Sequence, residues 1–113
     1  MKIKKIAQIL NAEILAGEAS LEKEVSEFAA SDLLSDVLAL NKDHFLLLTA
    51  LTSQQVLRTA EITGAIGVVI VNGKSPDQEA IGLARSHGIS LLMTSEAMFE
   101  ACQLIVKALD GRK

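Results

Sequence analysis

Three apolar runs limit what this chain can become: Phe45-Leu46-Leu47-Leu48, Gly67-Val68-Val69-Ile70-Val71 and Ser90-Leu91-Leu92-Met93. Each is continuous rather than alternating, which marks strands covered on both faces and favours a parallel, central position in a sheet. Between the first two, Thr52 to Thr63 puts Val56, Leu57 and Ala60 on one helical face and Gln54, Gln55, Arg58 and Glu61 on the rest. That pattern predicts a crossover helix. A second helix with a narrow face of Ala80, Ile81 and Ala84 joins the later pair of runs. A third follows Thr94-Ser95, with Met98, Ala101, Cys102, Ile105 and Leu109 at helical spacing.

The helix ends carry their own signals. Thr52-Ser53-Gln54-Gln55 fits a capping box, and Gly64 sits where a left-handed C-cap is expected. Ser75-Pro76-Asp77-Gln78 offers a capping hydroxyl, a proline at the first helical position and an acidic first turn, and His87-Gly88 supplies the stop. Strand-helix-strand units close right-handed, so the strand C-termini and helix N-termini gather on one edge. The turns Thr49 to Ser53, Asn72 to Ser75 and Thr94 to Glu96 are expected to share it.

The flanking segments read more weakly. Met1 to Leu10 has Ile3, Ile6, Ala7 and Leu10 at helical spacing, Glu13 to Ala16 fits a short strand, and Gly17 opens a charged loop through Glu24. Val25 to Ala30 suits a strand towards the sheet edge. Ser31 or Asp32 can cap a helix carrying Leu33, Leu34, Val37 and Leu38. The expected architecture is therefore α/β: one domain over residues 1–113, three layers, with a mainly parallel sheet of four to five strands flanked by helices.

Composition excludes several functions. A net charge of -3 and only three aromatic residues, all Phe, argue against nucleic-acid binding, which wants clustered cations and stacking platforms. No apolar run is long enough for a membrane span or a signal-peptide core, and the single Cys102 excludes an internal disulfide, so a cytoplasmic setting is expected. A mean hydropathy of +0.35 is high for so small a soluble chain and points to a subunit interface, hence a homodimer. Leu104 and Val106 lie beyond the sheet-facing stripe of the last helix, which predicts a second contact there, within the chain or with another subunit.

The polar residues of the three turns are the candidate ligand contacts: Thr49, Thr52, Ser53, Asn72, Gly73, Lys74, Ser75, Thr94 and Ser95. Asn72-Gly73-Lys74-Ser75 combines a glycine, a lysine and a hydroxyl after a strand, parts that bind anions. It is not a P-loop, because Val68 stands where the first glycine is needed. A tight turn with a capping serine accounts for the same residues. Asp32 and Asp36 read as a helix cap and a solvated carboxylate, not as a metal or acid/base pair. His44 and His87 read as surface or helix-end residues, and Cys102 as a buried, inert thiol. No nucleophile-base pair is visible, so a non-enzymatic chain without cofactor or metal is expected.

The segments Ala30-Ser31-Asp32-Leu33-Leu34-Ser35-Asp36-Val37-Leu38-Ala39, Leu47-Leu48-Thr49 and Gly64 to Pro76, continued by Ala84, Gly88-Ile89 and Thr94-Ser95, resemble the DRTGG domain family over about Ala30 to Leu104. That family is similar in fold to the amino-terminal domain of HPr kinase/phosphorylase. Its Asp-Arg position appears here as Leu51-Thr52, and its Thr-Gly-Gly as Val71-Asn72-Gly73 or Asn72-Gly73-Lys74. The resemblance implies a regulatory or dimer-forming domain. The Asp-Leu-Leu-Ser-Asp-Val-Leu run looks like stand-alone copies found beside iron-only hydrogenase genes. The expectation is thus a homodimeric regulatory or assembly domain with a protein partner; the alternative is a sensor holding a nucleotide or phosphate at the strand ends.

Overall fold

In a computed structural model that describes residues 1–111, the three apolar runs lie side by side at the centre of one five-stranded sheet. The strands are β1 (Glu13–Ala16), β2 (Glu27–Ala30), β3 (Phe45–Thr49), β4 (Gly67–Ile70) and β5 (Ser90–Met93), in the order β1-β5-β4-β3-β2. β2, β3, β4 and β5 are mutually parallel, and β1 joins β5 antiparallel. Every residue of β3 and β4 is buried, as continuous apolar strands require.

Alternate residues of these strands feed two cores, since successive side chains point to opposite faces. Leu46, Leu48, Val69, Val71 and Leu92 pack under α1 (Ile3–Ile9) and α5 (Met98–Asp110). Phe45, Leu47, Val68, Ile70 and Leu91 pack under α2 (Leu34–Leu38), α3 (Gln54–Thr63) and α4 (Gln78–His87). The result is the three-layer α/β arrangement that the sequence predicts. Gly67 leaves room for its neighbour on the paired strand: a Cβ there would come within 2.7 Å of Leu46 Cδ1.

The two sheet edges differ. β1 carries a register irregularity between Ile14 and Ala16, whereas β2 pairs in regular register with β3 from Glu27 to Ala30. The loop after β1 is a short 3-10 turn, Glu18–Ser20, introduced by Gly17 at φ 75°. Gly17 lies directly against the backbone of Ile89 and Ser90, and its carbonyl accepts a 2.9 Å hydrogen bond from Ser90 Oγ. Ser20 Oγ donates to the Gly88 carbonyl from the same loop. The charged stretch from Glu18 to Glu24 is thereby fastened to the sheet.

Helix C-termini follow expectation and N-termini do not. Gly64 and Gly88 cap α3 and α4 at φ 81° and 66°, in the left-handed region where a side chain is strained. At the other ends, Ser53, Asp77 and Ala97 occupy the N-cap positions, and none of them makes a side-chain capping bond. Neither the Thr52 capping box nor the Ser75 cap forms. The Asp77 N–H donates instead to the Thr52 carbonyl at 2.9 Å, which holds 75–77 in the turn and leaves Pro76 buried ahead of α4 rather than at its first position.

Candidate functional site

The C-terminal ends of β3, β4 and β5 form a common rim, and the three turns on it are stitched to one another by backbone hydrogen bonds. Val71 N–H reaches the Thr49 carbonyl at 3.0 Å, Asn72 N–H the Glu96 carbonyl at 2.8 Å, and Gly73 N–H the Thr94 carbonyl at 2.8 Å. Asn72 and Gly73 are both left-handed, at φ 65°, so the chain reverses sharply as it leaves β4. The rim predicted from strand order therefore exists, and all nine candidate residues lie on or beside it.

They divide by what their side chains do. Thr49 is fully buried; its Oγ1 donates to Asp32 Oδ1 at 2.9 Å and accepts the Leu51 N–H at 3.2 Å. Thr94 is buried as well, donating to the Leu10 carbonyl at 2.8 Å and accepting the Glu96 N–H at 3.2 Å. These two hydroxyls tie the rim to the N-terminal segment and to α2's approach. Thr52 is half-buried, and its contribution is the carbonyl that accepts from Asp77. Ser53, Asn72, Gly73, Lys74, Ser75 and Ser95 are exposed; of their side chains, Ser75 Oγ lies 3.8 Å from Met93 Sδ.

Asp32 is the rim residue that the helix-cap reading misplaces. It lies ahead of α2, whose N-cap position is Leu33, and its Oδ1 accepts from Thr49 Oγ1 and, at 2.7 Å, from the Ala50 N–H. A buried threonine at the end of a parallel strand needs an acceptor, and a carboxylate two residues past the end of the neighbouring strand is the sequence signal that could have found it. Ser31 holds the adjacent turn, accepting the Leu33 N–H at 3.0 Å. Asp36 is exposed, apart from this network. The carboxylate at the β3 end opposes an anion there, whereas the exposed Lys74 favours one beside β4.

Several titratable residues pair at the surface. His44 Nδ1 lies 3.0 Å from Asp43 and His87 Nε2 lies 3.1 Å from Glu61. Glu22 receives both Lys2, at 2.9 Å, and Lys4, at 2.7 Å; these contacts hold its carboxyl below the usual range, and Lys2 is raised by the same pairing. Among the described residues no group of three or more His, Cys, Asp or Glu side chains is placed to hold a metal ion, and no helix is long and apolar enough to cross a membrane.

A second feature stands beside β2. Phe28, Ala30 and Leu48 from the sheet and Cys102, Ile105, Val106 and Leu109 from α5 line an apolar groove along that edge. It continues around the outer side of α5, past Phe99 and Gln103. Phe99 is 75% exposed and Val106 56%. Leu104, expected to face outward with Val106, packs against the core, so Phe99 takes its place in the outer seam. Cys102 is half-buried in the groove, and burial pushes its thiol upward in pKa, as expected for an inert sulfur.

Comparison with solved structures finds a match that bears on this arrangement. The fold aligns with the CBS and DRTGG domains of the regulatory region of Clostridium perfringens pyrophosphatase, crystallised with its activator diadenosine tetraphosphate, at a TM-score of 0.77 and 18% identity. This chain has a DRTGG-like fold. The alignment covers 93% of this chain and 46% of that one, so the chain spans less than half the length of the pyrophosphatase region. No protein-family model and no curated protein matches the sequence.

Proposed function

We propose that the chain is a non-enzymatic regulatory or assembly domain that works as a homodimer in the cytoplasm. The observation that carries this reading is the apolar groove between β2 and α5, with Phe99 and Val106 exposed beside an open sheet edge. Phe99 and Val106 are two of the exposed large hydrophobic side chains, and an interface there would remove them from water. The rim offers no nucleophile aligned with a base, and its two buried hydroxyls are engaged in holding turns. The DRTGG-like fold agrees with regulation, since its neighbour is a regulatory region. The resemblance of the Asp32 to Leu38 run to hydrogenase-associated copies adds iron-only hydrogenase systems as the setting. Sedimentation velocity at micromolar concentration tests the reading: a dimer is expected, and a strict monomer defeats it.

The neighbour's activator is a nucleotide, and that favours a second reading in which the rim senses a nucleotide or phosphate. Lys74, Ser75, Ser53 and Ser95 are the exposed side chains for it, with Asn72 and Gly73 shaping the turn. Thermal-shift measurements against nucleotides and phosphometabolites separate the readings. A ligand at about 100 times its dissociation constant adds about 2.7 kcal/mol, and Lys74→Ala removes most of that shift. No shift across such a panel leaves the interaction reading alone.

A further inference from the structure

We infer that Asn72 is a deamidation site, and that opening of the turn after β4 sets its rate. Of the chain's asparagines, Asn11 precedes Ala12, Asn41 precedes Lys42, and Asn72 alone precedes a glycine. All three are exposed. A glycine on the C-terminal side leaves the attacking backbone nitrogen without a neighbouring Cβ to hinder it, and keeps that residue conformationally free. The site lies outside both readings above, and neither is needed for it.

The chemistry needs only water. The Gly73 amide nitrogen gives up its proton and attacks Cγ of the Asn72 carboxamide; the bond from Cγ to the side-chain nitrogen breaks, and ammonia leaves. Water then opens the resulting cyclic imide at either carbonyl, leaving aspartate or isoaspartate. A water is consumed for each ammonia released, and no oxidant or reductant takes part.

In the closed turn that nitrogen is occupied. Gly73 N–H donates to the Thr94 carbonyl at 2.8 Å, and Asn72 N–H to the Glu96 carbonyl at 2.8 Å. Thr94 is 1% exposed and fixed by its own hydroxyl, which donates to the Leu10 carbonyl and accepts the Glu96 N–H. The imide therefore forms only when this stitch opens locally. The products then differ in what they do to the rim. Aspartate tolerates the left-handed backbone that Asn72 holds at φ 65°, so the turn re-forms around a new carboxylate close in sequence to the exposed Lys74. Isoaspartate lengthens the main chain by a methylene between the Asn72 and Gly73 amides, and the paired bonds to Glu96 and Thr94 no longer fit together.

Peptide mapping by mass spectrometry of the full chain, held at mildly alkaline pH, tests the site and its gating. Conversion is expected at Asn72 ahead of Asn11 and Asn41, with isoaspartate among the products, and faster when the same chain is unfolded in urea. Thr94→Val removes the hydroxyl that fixes the acceptor and is expected to raise the folded-state rate about fivefold, the change in open population that loss of a hydrogen bond produces. Should that variant fail to fold, wild type in sub-denaturing urea decides: conversion must rise in step with hydrogen exchange at the Gly73 amide. A folded chain that converts first elsewhere, or never at Asn72, overturns the site. Equal rates folded and unfolded, a folded Thr94→Val no faster than wild type, or conversion indifferent to Gly73 exchange overturns the gating.

Discussion

Individual residues here are dominated by how closely backbone approaches backbone. Gly17 is left-handed and lies against Ile89 and Ser90, so any Cβ strains the turn and strikes main chain that cannot move aside. Gly17→Ala should cost on the order of 2–3 kcal/mol, read as a lowered urea midpoint. Gly82 is the opposite case, exposed within α4 with open space where a Cβ would go. Gly82→Ala should stabilise by about 0.5–1 kcal/mol in the same assay, because alanine loses less backbone entropy on entering a helix. Asp32→Ala should cost roughly 1–2 kcal/mol, since it strands the buried Thr49 hydroxyl without its acceptor. That bond joins residues 17 apart in sequence. Local propensity cannot reveal such a partner, and for that reason Asp32 reads as a cap until strand order is known.

Elements were legible to the degree that their signals were local. Continuous apolar runs gave β3, β4 and β5, and glycines at 64 and 88 gave two helix ends, because burial on both faces and left-handed backbone each restrict residue type directly. N-termini were less legible: contacts between turns, such as Asp77 with Thr52, displaced the local capping patterns. The exposure of Phe99 is not legible in the sequence, because the Met98, Ala101, Cys102, Ile105 and Leu109 stripe does not show which residues flanking it the fold leaves in water. The join between α1 and the loop after β1 has a pH signature. Glu22 is lowered in the folded state by Lys4 and Lys2, so its contribution is present above the ordinary carboxylate range and fades as pH falls through the lowered value. Lys2, raised by the same contact, contributes below the ordinary lysine value and loses its share only as pH rises through the raised one. Glu22→Gln should therefore separate from wild type in urea midpoint at neutral pH and converge with it in acid; these groups are exposed, and added salt should shrink the gap.

For the whole molecule, the proposed self-association would couple stability to concentration. The melting temperature of the wild-type chain should climb with each increase in protein concentration, while that of Val106→Glu stays flat. The two sheet margins are unequal templates: β2 keeps a regular register, whereas β1 is kinked between Ile14 and Ala16. A kinked margin is a poor template for further strands. One side of the sheet is thereby closed to added strands, which guards the chain against open-ended stacking into a fibril.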